Sequence, residues 1–135
     1  MRLRLLACLM IVLLGCAKKE EVKFAAFDDA SFQAAKAMGK PAVVFATADW
    51  CPPCRELHRG ALTDEDVKKA LEPFARLEID CSDKSDRSNN DKLRQFGLHY
   101  LPALVFFDRS GNETDRFEGP PPAKTIIAAA KKASQ

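Results

Sequence analysis

A chain of 135 residues in which 47% of the side chains are hydrophobic and 30% charged fits one ordinary domain with a real hydrophobic core. Its 21 basic residues meet 19 acidic ones, so no cationic surplus draws it to a polyanion, and no nucleic-acid partner is expected.

Two arginines in Met1-Arg2-Leu3-Arg4 lead into an uncharged apolar run from Leu5 to Leu14, the pattern of an export signal. A membrane-spanning helix wants about 20 apolar residues, and this run stops well short. Leu13-Leu14-Gly15-Cys16 resembles the lipobox of bacterial lipoproteins. The resemblance implies that residues 1–15 are a signal peptide, that Cys16 receives lipid, and that residues 16–27 are a lipidated N-terminus and tether. An ordinary secretory signal with a cysteine near its end is the alternative. Acyl chains contribute about 0.8 kcal/mol per buried methylene, and two or more hold a domain stably on a bilayer. The expected location is the bacterial cell envelope, lipid-anchored and facing the periplasm or outer surface. Losing Arg2 and Arg4 with the signal leaves the mature chain near neutrality.

The domain is expected over residues 28–135. Phe32, Ala35 and Met38 recur at helical spacing between Asp28 and Gly39, with Gly39 as the stop. Pro41–Thr47 is a continuous apolar run, short and β-branched enough for a strand buried on both faces. After the Cys51-Pro52-Pro53-Cys54 motif, Asp64–Phe74 reads as a helix with Thr63 and Asp66 as a capping-box variant, and Ala75–Asp80 as a strand. Ser82–Asn90 has no apolar content and reads as a loop; Asp91–Phe96 reads as a short helix ended by Gly97, with Leu93 and Phe96 inward. Leu101–Phe107 is an apolar strand with proline near its start, Asp108–Asn112 a hairpin turn, and Glu113–Glu118 the partner strand. A closing helix spans Ala123–Ala133 with Ile126, Ile127 and Ala130 inward. This order predicts an α/β fold, a central mixed sheet flanked by helices on both faces.

Of five cysteines, Cys8 leaves with the signal and Cys16 takes the lipid, so Cys51, Cys54 and Cys81 remain. One close pair and an odd thiol read as redox or metal chemistry, not as a stapled scaffold. Cysteines at i and i+3 in a first helical turn share a face and can close a small ring. Pro52 biases Cys51 away from helical backbone, as an N-cap requires, and itself suits N1. Pro53 lacks an N–H, which leaves the Cys54 amide as the nearest donor for a Cys51 thiolate. The positive helix start acts the same way, bringing such thiols from about 8.5 toward roughly 3.5–7.5. Cys51 is therefore the expected nucleophile and Cys54 the resolving thiol, with the Cys51–Cys54 disulfide itself as the redox group and no separate cofactor. A plain structural disulfide and a zinc site are the alternatives. Zinc would need further ligands from His58, Cys81 and His99, none of which forms a second close pair, and Arg55 after Cys54 excludes c-type haem. Cys81 is open between a small buried hydrophobe and a third redox thiol.

Thr47-Ala48-Asp49-Trp50-Cys51-Pro52-Pro53-Cys54-Arg55-Glu56-Leu57 resembles the active-site stretch of thioredoxin-like proteins, and Ala48-Asp49-Trp50-Cys51 is similar to the C-terminal domain of DsbD-type thiol-disulfide interchange proteins. Phe96-Gly97-Leu98, Leu101-Pro102-Ala103 and Leu104–Asp108 followed by Gly111 resemble the cis-proline loop and hairpin of that family. The likeness implies the thioredoxin fold over about residues 28–133, a cis peptide before Pro102 beside the cysteine pair, and substrate contacts from Trp50, Leu101 and Pro102. Tyr100, just before that loop, is a further candidate contact. Many thioredoxins carry a buried acid six residues before the first cysteine; here that position is Phe45, so proton removal from Cys54 would fall to Glu56, Asp49 or water.

The expected function is a protein-disulfide oxidoreductase that reduces, or relays electrons to, exported proteins. Its expected partners are exported protein thiols or disulfides, a membrane electron donor or thiol partner, and the membrane through the lipid. A net oxidant or isomerase, and a metal chaperone using the cysteine pair, are the rival functions.

Overall fold

Five strands form one mixed sheet in the order β1-β3-β2-β4-β5. The computed structural model describes residues 19–135; the predicted signal, Cys16 and the first tether residues lie outside them. The elements are β1 (Ala25–Ala26), α1 (Asp29–Ala37), β2 (Ala42–Thr47), α2 (Pro52–Arg59), a 3-10 turn (Ala61–Thr63), α3 (Glu65–Leu71), β3 (Ala75–Asp80), α4 (Arg87–Gln95), β4 (Ala103–Phe107), β5 (Glu113–Glu118) and α5 (Ala123–Ala133). β3 runs parallel to both β1 and β2, whereas β4 is antiparallel to β2 and β5.

Central position explains the apolar run of β2, whose six residues are all buried. Alternation along the strands feeds two cores. On one face Val44, Ala46, Leu77, Ile79, Val105 and Phe107 meet the aromatic rings of Phe27, Phe32 and Phe96. On the other, Val43, Phe45, Leu104 and Phe106 pack against Leu57, Val67, Leu71 and Ile126 from α2, α3 and α5. Each wholly buried side chain of this size contributes about 1.5–3 kcal/mol. Gly39 and Gly97, at φ 62° and 61°, end α1 and α4 in the left-handed conformation. In both, the following amide closes back onto the helix, Lys40 to the Ala35 carbonyl and Leu98 to the Leu93 carbonyl, each at 2.9 Å.

Four local expectations change. The segment expected to be tether to residue 27 joins the domain earlier: Val22 is buried, its amide reaches the Leu62 carbonyl at 2.8 Å, and Ala25–Ala26 pairs with Leu77–Glu78. Two alanines carry no strand pattern, yet they cover an edge of β3 that would otherwise be bare. Asp64, not Thr63, caps α3, accepting the Asp66 and Val67 amides at 2.9 and 3.2 Å. α4 begins at Arg87 inside the expected loop, because Asp86 caps it through the Ser88 amide at 2.9 Å. Its first turn is polar since it faces solvent, apart from buried Asn89, whose amide donates to the Asp80 carbonyl at 2.7 Å. Finally β4 starts at Ala103, so Leu101 and Pro102 are loop residues.

Candidate functional site

Cys51 stands at the N-cap of α2 in extended backbone (φ −97°, ψ 109°), with Pro52 and Pro53 opening the helix. The two prolines leave the Cys54 N–H as the first free amide, and it donates to Cys51 Sγ at 3.3 Å. Cys51 and Cys54 are joined as a disulfide with their Cα atoms 5.3 Å apart. Cys54 is wholly buried and Cys51 is 4% exposed. Of the two, Cys51 borders a surface cleft and Cys54 does not. In the reduced state the same amide and the helix start would favour the Cys51 thiolate.

The loop before the helix is clamped. The Arg55 guanidinium donates to the Asp49 carbonyl at 2.8 Å, and the Asp49 amide donates to Ser82 Oγ at 2.9 Å. Asp49 itself is exposed. Trp50 is 46% exposed, its indole N–H donates to the Cys81 carbonyl at 3.1 Å, and the Lys84 ammonium lies 4.4 Å from its ring centre.

Opposite, the Leu101–Pro102 peptide is cis. Pro102 is buried and its carbonyl accepts the Gly119 amide at 2.7 Å. Trp50, Cys51, Cys81, Tyr100 and Leu101 line one cleft of about 600 Å³. Tyr100 is 72% exposed at its rim. The fold thus brings together residues from the β2–α2 and α4–β4 connections that lie about fifty positions apart in the chain.

Cys81, free and buried, borders the same cleft and donates to the Ile79 carbonyl at 3.9 Å. Burial, and then the negative charge of Asp80, push its thiol pKa up. That disfavours its thiolate.

Phe45, at the position where many thioredoxins carry a buried acid, is wholly buried with its ring centre 5.1 Å from that of Phe24 and 5.2 Å from that of His58. Its register partner on β3 is Glu78. Burial, then the charge of Asp80, raise the Glu78 carboxyl above its usual range against the opposing pull of His58. His58, a zinc-ligand candidate only under the alternative reading, links Thr47 Oγ1 at 3.2 Å to the Glu21 carboxylate at 2.8 Å. Thr47, His58, Glu78 and Asp80 border a second cavity of about 320 Å³. Sequence reasoning also passed over Asn89 and Glu118. Neither had a signal, since one sits in a polar run and the other ends an edge strand.

Among the described residues no group of His, Cys, Asp and Glu is arranged to hold a metal ion, and no helix is long and apolar enough to cross a membrane.

A cysteine pair at the first turn of a helix, packed on this sheet beside a cis-proline loop, is the arrangement of a thioredoxin-fold protein. The chain belongs to the thioredoxin-like family, whose thioredoxin-like domain model matches residues 28–134. The thiol:disulfide interchange protein DsbD of Ralstonia nicotianae is 34% identical over 116 residues, covering 84% of this chain and 19% of that protein. DsbD of Colwellia psychrerythraea is 35% identical over 79 residues, 58% of this chain and 13% of that protein. The chain therefore spans about a fifth or less of the length of these curated relatives. Among solved structures, the oxidised C-terminal domain of DsbD from Neisseria meningitidis is 25% identical with a TM-score of 0.65, covering 82% of this chain and all of that one.

Proposed function

We propose that the protein reduces disulfide bonds of exported proteins, or relays electrons to them, in the bacterial cell envelope. The Cys51 thiolate attacks one sulfur of a client disulfide, forming a mixed disulfide and expelling the client's other thiolate. Cys54, once deprotonated, attacks Cys51 Sγ, and the client leaves with two thiols while the Cys51–Cys54 disulfide forms. A membrane electron donor or thiol partner then returns two electrons and two protons to the pair. Trp50, Tyr100 and Leu101, with buried Pro102 behind them, form the client's binding surface. Cys16 carries the lipid that holds the domain at the membrane.

The observation that carries this reading is Cys51 at the N-cap, its sulfur on the Cys54 amide and facing a cleft bordered by Tyr100 and Leu101. The signal-like residues 1–16 support the envelope, and the likeness to one domain of DsbD supports the reducing direction. The full chain, purified in detergent, should turn over a protein disulfide with dithiothreitol as donor, and Cys51→Ser should lower that turnover at least about a hundredfold, since the attacking thiolate is gone. Equal turnover by the two proteins would refute the reaction. A potential near about −120 mV, that of a strong oxidant, would reverse its direction.

A further inference from the structure

The loop from Gly97 to Pro102, which borders the Cys51 cleft, has no regular structure of its own and hangs on the end of β5. Arg116 reaches the Gly97 carbonyl at 3.0 Å, and the Gly119 amide reaches the Pro102 carbonyl at 2.7 Å. Between them one oxygen of Glu118, Oε2, accepts the backbone N–H groups of both His99 and Tyr100, each at 2.8 Å. The register explains the reach: Glu118 pairs with Ala103, the first residue after Pro102.

Two consecutive amides aimed at one carboxylate oxygen form a small anion nest, and such charge-assisted bonds are roughly twice as strong as neutral ones. The Glu118 carboxyl pKa is lowered chiefly by the His99 amide, and further by the Tyr100 amide, His99 and Arg116. Glu118 does not line the cleft, whereas His99, Tyr100 and Leu101 all do. Without the carboxylate, both amides would turn to water and the loop would sample more conformations. A client would then have to order it on binding.

We infer that Glu118 is a positioning residue for the disulfide exchange, holding the His99–Tyr100 backbone so that Leu101 and Pro102 present a ready-made surface to a client chain beside Cys51. The inference rests on the proposed reaction and adds a residue outside the cysteine pair and the cleft wall. Because Glu118 is itself exposed, its bonds compete with water and the fold does not depend on them.

The full chain in detergent tests this with Glu118→Ala and Glu118→Gln, the latter keeping a carbonyl oxygen that can accept both amides. For a protein disulfide, Glu118→Ala should raise KM about tenfold with kcat changed far less, a factor matching the loss of charge-assisted bonds. Iodoacetamide should alkylate reduced Cys51 at the wild-type rate in both variants, and Glu118→Gln should recover most of the lost KM. A wild-type KM in Glu118→Ala would overturn the inference. So would a Glu118→Gln as impaired as Glu118→Ala, or alkylation slowed in step with turnover. If the wild-type chain itself fails to exchange a protein disulfide, the proposed reaction falls and this inference with it; the other outcomes refute Glu118 alone.

Discussion

Replacing Phe45 by aspartate would restore the acid that many thioredoxins carry six residues before the first cysteine, and would test whether this protein has room for it. The side chain is wholly buried between Phe24 and His58, in the core that includes Val43, Leu57 and Phe106. Removing a buried phenyl group costs about 3–5 kcal/mol. A carboxyl with no hydrogen-bond partner adds about 1–3 kcal/mol even when it stays protonated, and Glu78 in register beside it disfavours a second charge. The sum, about 4–8 kcal/mol, is a large part of the 5–15 kcal/mol that holds a typical domain together. Phe45→Leu keeps an apolar side chain and should cost about 1.5 kcal/mol or less. Urea unfolding followed by the fluorescence of Trp50, the sole tryptophan, measures both. If Phe45→Asp fell within about 1 kcal/mol of Phe45→Leu, well inside the gap expected for a buried unpaired acid, the position would be hydrated or already partnered, and its assignment to packing would be wrong.

Glu78 makes a prediction about pH. Its carboxyl lies above the ordinary 4.5 because burial, then Asp80, penalise the charged form, so the folded state holds that proton more tightly than the unfolded chain does. Stability from this group is highest at acid pH and declines as pH climbs from 4.5 through the folded value. Glu78→Gln should therefore be more stable than wild type at pH 7, with the gap closing below about pH 4; a constant gap across that range would contradict the assignment. For Cys81, even the ordinary value of 9.0, from which its thiol is pushed up, leaves only about 1% thiolate at pH 7. In the reduced chain at pH 7, peptide-resolved mass spectrometry should find iodoacetamide on Cys51 well before Cys81. Equal rates would show Cys81 to be a reactive thiol of the site.

Much of the fold is legible because its signals are local. The apolar runs 41–47 and 101–107, the turn at Asp108–Asn112 and the helix stops Gly39 and Gly97 each work within a few residues. α4 shows the opposite case. Its first turn is polar, so hydrophobic periodicity is silent there, and the helix is revealed only by the Asp86 cap and by Asn89 reaching β3. β1 is equally silent: two alanines form a strand because β3 offers an edge, not because alanine prefers one.

The chemistry divides along the same line. The sequence by itself determined the geometry of the cysteine pair, since Cys51 at an N-cap, two prolines and the Cys54 amide are neighbours along the chain, and their arrangement follows from helix-start stereochemistry alone. Only the tertiary structure decided what surrounds it: Cys81 at the cleft wall, His58 between Thr47 and Glu21, and Glu118 beneath the His99–Tyr100 backbone. Contacts of this kind join polar groups far apart in the chain. They leave no period or propensity in the sequence, because each becomes favourable only after the hydrophobic core has brought its partners within hydrogen-bonding distance.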